Sequence, residues 1–333
     1  MKPVFVIVPV YNQDPILLKK CIDSILLQTY SNIIIVCVND GSTNLETCRV
    51  LDKYKDMENF RLLLKNNGGV GSARNTGLSF VEKTSDSYFT FVDSDDWIDK
   101  QYIETMVKQL LVDRSDAICS SYVIEKDSNK YIWKNKVNKK ILSGYEAVKE
   151  TIIGNISPNP FAKLYKTELF RGGGFRYDEN LYVAEDVAFT FRTFLKTKTV
   201  SISNYCGYYF NRLSQYSSLS RQKWDNKRSL AVFRCDRLRS SFICDSFSET
   251  ENQQIMQILR NDCADNYLGV LPRFNFTEAT ESELQQLKNY QIYIEKIKLI
   301  PMFQPYSIKT RLKKYFYLYF RSLYKPIYKI LMH

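Results

Sequence analysis

Asp93 and Asp95, parted by Ser94 and followed by Asp96, have the type and spacing that speak first for chemistry. They follow an apolar run, Tyr88 to Val92, and on an extended chain residues two apart point the same way, so both carboxylates can address one ion or one ligand. Paired carboxylates are hard oxygen ligands of the kind Mn²⁺ or Mg²⁺ takes, with waters and substrate phosphate oxygens completing the shell. A phosphate-bearing substrate is the chemistry this implies. The same tetrapeptide also suits a solvated turn in which one Asp caps a helix beginning near Ile98, and spacing alone leaves both readings open.

Three further clusters carry polar chemistry. Asn39-Asp40-Gly41-Ser42 follows a second apolar run, where Asp40 can accept a hydrogen bond from a base or ribose and Gly41 allows a tight turn; an ordinary Asp-Gly turn fits equally. Gly68 to Asn75 is a glycine-rich loop opening a helix, with Arg74 one turn in, and such a helix start can take an anion. It lacks the lysine of a phosphate-cradling loop and does not fit GxGxxG. Glu185-Asp186, ahead of an apolar helical pattern, reads either as a helix cap or as a general base for a hydroxyl nucleophile. The sole histidine is His333, which excludes a Ser-His-Asp hydrolase and a histidine-based metal site.

The elements that must position these groups are legible as a rhythm. Apolar runs at Val4 to Val10, Ile33 to Val38, Phe60 to Leu64 and Tyr88 to Val92 recur about every 28 residues, each followed by a stretch with helical spacing. Continuous hydrophobicity argues for strands covered on both faces, hence an α/β fold with a mainly parallel sheet. Ligands of such sheets bind beyond the carboxyl ends of the strands, where Pro9-Val-Tyr-Asn12 and all but the last of the polar clusters fall. The spacing also predicts a fifth strand at Ala117 to Ile124, helices at Ile98 to Val112 and Ser143 to Ile153, a long helical stretch at Trp224 to Leu271, and a helix at Glu281 to Ile297. A chain of 333 residues that is 44% hydrophobic can bury a full core, and the eight cysteines, with no CxxC pair, fit a reducing compartment.

Taken in order, these residues resemble glycosyltransferase family 2, an inverting family with the Rossmann-like GT-A fold. The resemblance covers roughly residues 1–215 and rests on Pro9-Val-Tyr-Asn12, Asn39-Asp-Gly-Ser-Thr43, Asn67 to Asn75, Asp93-Ser-Asp95, Glu185-Asp186, and Tyr208-Tyr-Phe-Asn-Arg212 with Ser217-Ser218. It implies that Pro9, Tyr11 and Asp40 cradle the nucleoside, that Arg74 lies beside the nucleotide, and that Asp93 contacts ribose or donor. Asp95 would ligate the metal bridging the diphosphate, Asp186 would be the base, and Trp97 and Glu185 would lie on the acceptor side. Asn39 stands where many relatives carry an Asp, which loosens the base preference and leaves Asp40 in place. The expected division is a nucleotide-sugar-binding half at 1–125, an acceptor and catalytic-base half at 126–215, a helical extension at 216–300 and a basic aromatic tail at 301–333.

The net charge of +11 sits largely in that tail: from Lys296 onward there are nine Lys or Arg and no acid, so the remainder carries 11 − 9 = +2. Between residues 307 and 329 the apolar and basic positions separate onto two helical faces, as an interfacial anchor on an anionic membrane requires; a helix docked on the enzyme fits as well. No nucleic-acid-binding motif accompanies the charge. The activity implied is transfer of one hexose from a nucleotide-sugar, a UDP-sugar, to a glycan or lipid-linked acceptor in capsule, exopolysaccharide or lipopolysaccharide synthesis. It would take place in the cytoplasm, on the inner membrane face. A glycolipid synthase is the near alternative, and a metal-dependent nucleotidyltransferase the one from another class.

Overall fold

The structure is a computed structural model that describes residues 1–127, 129–172, 175–181, 183–213, 224–244 and 248–296. The expected basic tail at 301–333, Ser217-Ser218 and the end of the predicted last helix lie outside the described residues. The chain divides into two compact units, residues 1–179 with 185–219, and residues 180–184 with 220–333.

In the first unit, β1 (Val4–Val10), β2 (Ile33–Asp40), β3 (Phe60–Lys65) and β4 (Tyr88–Phe91) run parallel in the order β3-β2-β1-β4. The links are α1 (Pro15–Leu26), α2 (Leu45–Asp52) and α3 (Gly69–Val81). Each residue of β1 is buried, because helices cover the sheet on both faces and leave no solvent side to demand polar alternation. Beyond β4 come β5 (Trp97–Ile98), α4 (Tyr102–Val112), β6 (Ala117–Ser120), β7 (Tyr122–Lys126), β8 (Asn129–Trp133) and β9 (Ile141–Ser143). After these follow α5 (Gly144–Ile152), β10 (Lys163–Lys166), α6 (Glu185–Lys196), β11 (Thr199–Ser203) and β12 (Tyr208–Asn211). The large sheet continues β4-β10-β6-β11-β9, and a second sheet has the order β5-β12-β7-β8. This is the mixed α/β architecture expected, although the sequence did not announce β5, β8, β9, β10, β11 or β12 as strands. Of these, β10 is antiparallel to both neighbours, four residues long with a lysine at each end.

Three expectations are corrected. The strand expected at Ala117 to Ile124 is two strands in different sheets: Ser120 N donates to Ala162 O and Ser121 N to Ser203 O, and the chain leaves the large sheet there. Both pieces begin buried, so the apolar run hides the break. The helix expected from Ile98 begins at Tyr102, since Trp97–Ile98 pairs with β12. Finally, β4 ends at Phe91, and Asp93–Asp96 is a turn closed by Asp96 N donating to Asp93 O at 2.9 Å. The strand alternation invoked for Asp93 and Asp95 therefore does not apply.

The second unit holds α7 (Asn226–Cys244), α8 (Glu249–Val270) and α9 (Glu281–Lys296), and the long helical stretch is broken at Ser248, the extended cap of α8. Asp236 on α7 accepts from Arg239, from Asn266 on α8 and from Tyr290 on α9. Among the described residues no helix is long and apolar enough to cross a membrane.

Gly77 lets α3 lie directly on β1, since a Cβ there would come 2.5 Å from Ile7 Cγ2. Gly77→Ala should therefore cost about 1–3 kcal/mol through overpacking, read as a lower denaturant midpoint. An unchanged midpoint would contradict this packing.

Candidate active site

The loops after β1 and β2 are stitched together by side chains that replace missing backbone partners. Asn12, at φ +46°, donates its N–H to Ser42 Oγ at 3.0 Å, while its Oδ1 accepts from Thr43 N at 2.7 Å and Asn44 N at 2.8 Å. Gly41 adopts φ +73°, and a Cβ there would meet Asn67 N at 2.8 Å. Pro9 is buried within β1, and Tyr11 is exposed at this edge.

Asp40 ends β2 and is 2% exposed. Its Oδ1 accepts from Lys65 Nζ at 2.5 Å and Gly68 N at 3.0 Å, and its Oδ2 accepts from Gly69 N at 2.8 Å. The helix start that the sequence marks as an anion site thus takes an anion from its own chain: the carboxylate meets two orphan N–H groups at the positive end of α3. A carboxylate offers about four lone-pair directions, so three donors leave room for one more.

The turn after β4 is shaped by its third acid. Asp96 is fully buried, accepting from Tyr208 Oη at 2.5 Å and from Asn211 N at 2.8 Å. Burial, then the charges of Asp95 and Asp93, push its carboxyl well above the ordinary range. Tyr208 Oη in turn accepts from Asp93 N at 3.2 Å, and Ser94 Oγ meets Gln13 Oε1 at 3.2 Å. None of these acids caps α4, whose first turn is instead preceded by Asp99 accepting from Gln101 N. Asp93 and Asp95 are left half-buried at the strand edge. Asp96 was not among the expected site residues; the buried Tyr208 in the motif after β11 is the signal that pairs with it. Trp97 follows on β5, stacked on Tyr209 at 5.9 Å with Lys20 Nζ 2.8 Å from its ring centre, so its ring already has partners.

Glu185 and Asp186 are the first two residues of α6. Arg74, on α3 and 4% exposed, brings this helix to the turn: Nη2 donates to Asp93 Oδ1 at 2.7 Å and Nη1 to Glu185 Oε1 at 3.4 Å. Burial opposes the guanidinium charge, but Asp93, Tyr177 and Glu185 more than offset it and hold the pKa above its usual value. Neighbouring Asn75 fastens α3 to the segment before α6, donating to Tyr177 O at 3.1 Å and Glu179 Oε1 at 2.9 Å. Burial, then the Asp186 charge, push the Glu185 carboxyl up to about 7, and burial raises Asp186 too, against the pull of Arg74. A buried cation not foreseen from sequence, Lys163 on β10, donates to Ser157 O and Asn159 O. Burial lowers its pKa while Cys119 and Asp186 act to raise it.

Among the described residues no three His, Cys, Asp or Glu side chains form a complete metal-holding group. The donor set of the turn therefore fits a cation only if a ligand supplies further oxygens, the habit of Mg²⁺ and Mn²⁺ at phosphate sites.

The family model described as glycosyl transferase family 2 matches residues 5–176. The glycosyltransferase GlyA of Streptococcus pneumoniae is 46% identical over 120 residues, covering 35% of this chain and 16% of that one. The glycosyltransferase EpsJ of Bacillus subtilis is 30% identical over 205 residues, covering 60% and 58%. These matches span less than two thirds of either relative. TarS of Staphylococcus aureus, a poly(ribitol-phosphate) beta-N-acetylglucosaminyltransferase, is 28% identical over 209 residues, 62% of this chain and 35% of TarS. The crystal structure of TarS residues 1–349 in complex with UDP-GlcNAc shares the fold at a TM-score of 0.70 and 21% identity, covering 89% of this chain and 81% of that chain.

The raised Glu185 carboxyl has a stability signature. Below its ordinary value of 4.5 the group is protonated folded or unfolded; as pH climbs toward about 7 the folded chain must surrender a proton that it holds more tightly, and stability falls. Glu185→Gln should lose that decline, so its melting temperature should gain on the parent by several degrees between pH 5 and pH 8. Parallel curves would contradict the assignment.

Proposed function

The chain belongs to glycosyl transferase family 2, and from that premise we propose that it moves one sugar from a UDP-sugar to a hydroxyl of a glycan or lipid-linked acceptor, inverting the anomeric carbon. The observation that carries the reading is the gathering of acids at one sheet edge. Asp40 closes β2, Asp93 and Asp95 follow β4, and one guanidinium joins Asp93 at 2.7 Å to Glu185 at 3.4 Å, beside Asp186. The TarS complex with UDP-GlcNAc supports a nucleotide-sugar donor, and the acceptor named for TarS supports a cell-surface polymer.

On this reading Pro9, Tyr11 and the spare lone pair of Asp40 hold the nucleoside, and Asp93 holds ribose or diphosphate. Asp186 takes the proton from the acceptor hydroxyl as that oxygen attacks the anomeric carbon. Burial raises its carboxyl above the ordinary range, which makes it a stronger proton acceptor once ionised. The displacement is a single in-line step through an oxocarbenium-like state, with the nucleoside diphosphate departing on the opposite face and no covalent intermediate. Mn²⁺ or Mg²⁺, held by Asp95 with the donor's phosphate oxygens, would supply Lewis-acid stabilisation of that leaving group. Trp97 and Glu185 border the acceptor side, and the basic residues between 307 and 329 would bring the enzyme to an anionic membrane carrying the acceptor.

A panel of sugar nucleotides, with and without Mn²⁺ or Mg²⁺, followed by thermal shift and donor hydrolysis, tests this. One UDP-sugar should raise the melting temperature only with metal, Asp95→Ala should lose that shift, and Asp186→Asn should keep it while losing about 10²–10⁴-fold in turnover. No shift with any sugar nucleotide would end the reading.

A further inference from the structure

Arg74 is nearly sealed from solvent, its guanidinium lying 5.4 Å from the Tyr177 ring centre and 5.9 Å from that of Phe91. Its two charged partners come from different elements and, on the reading above, from opposite sides of the reaction. Asp93 belongs to the donor turn and Glu185 to the helix turn that carries Asp186. The sharing is unequal, 2.7 Å to Asp93 against 3.4 Å to Glu185. The third donor of the group, Nε, is buried with no hydrogen-bond partner. The guanidinium can therefore swing from Asp93 toward Glu185 without giving up any other bond.

We infer that Arg74 is a positioning residue that couples the donor turn to the acid pair of α6: a ligand that draws Asp93 off the guanidinium leaves its charge to Glu185, so occupation of the turn and ionisation of the acid pair favour each other. The identity of that ligand rests on the transferase reading; the coupling does not. The groups facing Glu185 are Asp186 on its own helix, Arg74 from α3, Asp93 from the turn and Tyr177 from the segment before α6. Lys163 faces Asp186 from β10. Arg74 is the one among these with a hydrogen bond to each side. Two events that share one charge must help each other equally, whichever comes first.

The test uses the full chain labelled with ¹³C at glutamate carboxyls, with Glu185→Gln to assign the signal. Asp93→Asn stands in for a ligand that removes the Asp93 charge. It should lower the Glu185 titration midpoint by about one pH unit, a tenfold change in proton affinity, and by only a few tenths in an Arg74→Gln background. Arg74→Lys, which keeps the charge but cannot span both acids, should fall between and guards against a misfolded Gln variant. An equal fall in all backgrounds, or no fall in the parent, overturns the coupling. UDP-sugar affinity should tighten as pH rises through about 7 in the parent and be flat in Arg74→Gln. If no UDP-sugar binds at any pH, the transferase reading fails while the carboxyl titration still decides the coupling.

Discussion

The carboxyl of Asp96 is sealed from bulk solvent, and Tyr208 Oη and the N–H of Asn211 donate to it in solvent's place. A buried carboxyl left without such partners costs several kcal/mol, so the two contacts are obligatory for the fold. They reach across 112 and 115 residues, from the turn after β4 to β12, and so hold the small sheet against the edge of the large one. Tyr208 is itself fixed by stacking on Phe161 at 4.7 Å and by an edge contact with Tyr102 at 6.2 Å. Because Asp96 is committed inward, the same turn presents Asp93 and Asp95 at the strand edge.

The acids of this site divide by what meets their charge. Asp40 is compensated by Lys65 and the start of α3, and Asp96 by Tyr208 and Asn211. Asp96 is a structural fastener, whereas Asp40 fastens the start of α3 and keeps one lone-pair direction spare. Glu185 and Asp186 have Arg74 as their nearby countercharge, shared with Asp93, and both carboxyls are displaced upward by burial. Carboxyls displaced upward by burial beside a shared charge are the kind that gather where protons are moved. Asp236 in the helical unit is equally buried but is met by Arg239, Asn266 and Tyr290, the pattern of a packing anchor.

Much of this was legible before the structure. The buried strands β1 and β2 were set by runs of Val, Ile and Phe with no polar alternation, the edge strand β3 by a leucine run broken by Arg61, and each strand end carried its polar cluster. Distant pairings were not legible. Nothing near Arg74 in the chain announces that its partners are 19 and 111 residues away, and spacing cannot say that Asp96, rather than Asp93 or Asp95, turns inward. The split at Ser121 escaped because hydrophobicity reports burial and not which sheet buries a strand. The four-residue β10 escaped because its terminal lysines mimic a loop, while Lys163 is in fact buried against two carbonyls.

A crystal structure of the full chain soaked with UDP and Mn²⁺ tests the account most directly. The diphosphate should lie against Asp93 and Asp95 with one ion between it and Asp95, the uridine over Pro9, Tyr11 and Asp40, and Asp186 facing the open side of the β-phosphate. Nucleotide bound away from this edge, or bound there with Asp93 and Asp95 taking no part, would contradict it.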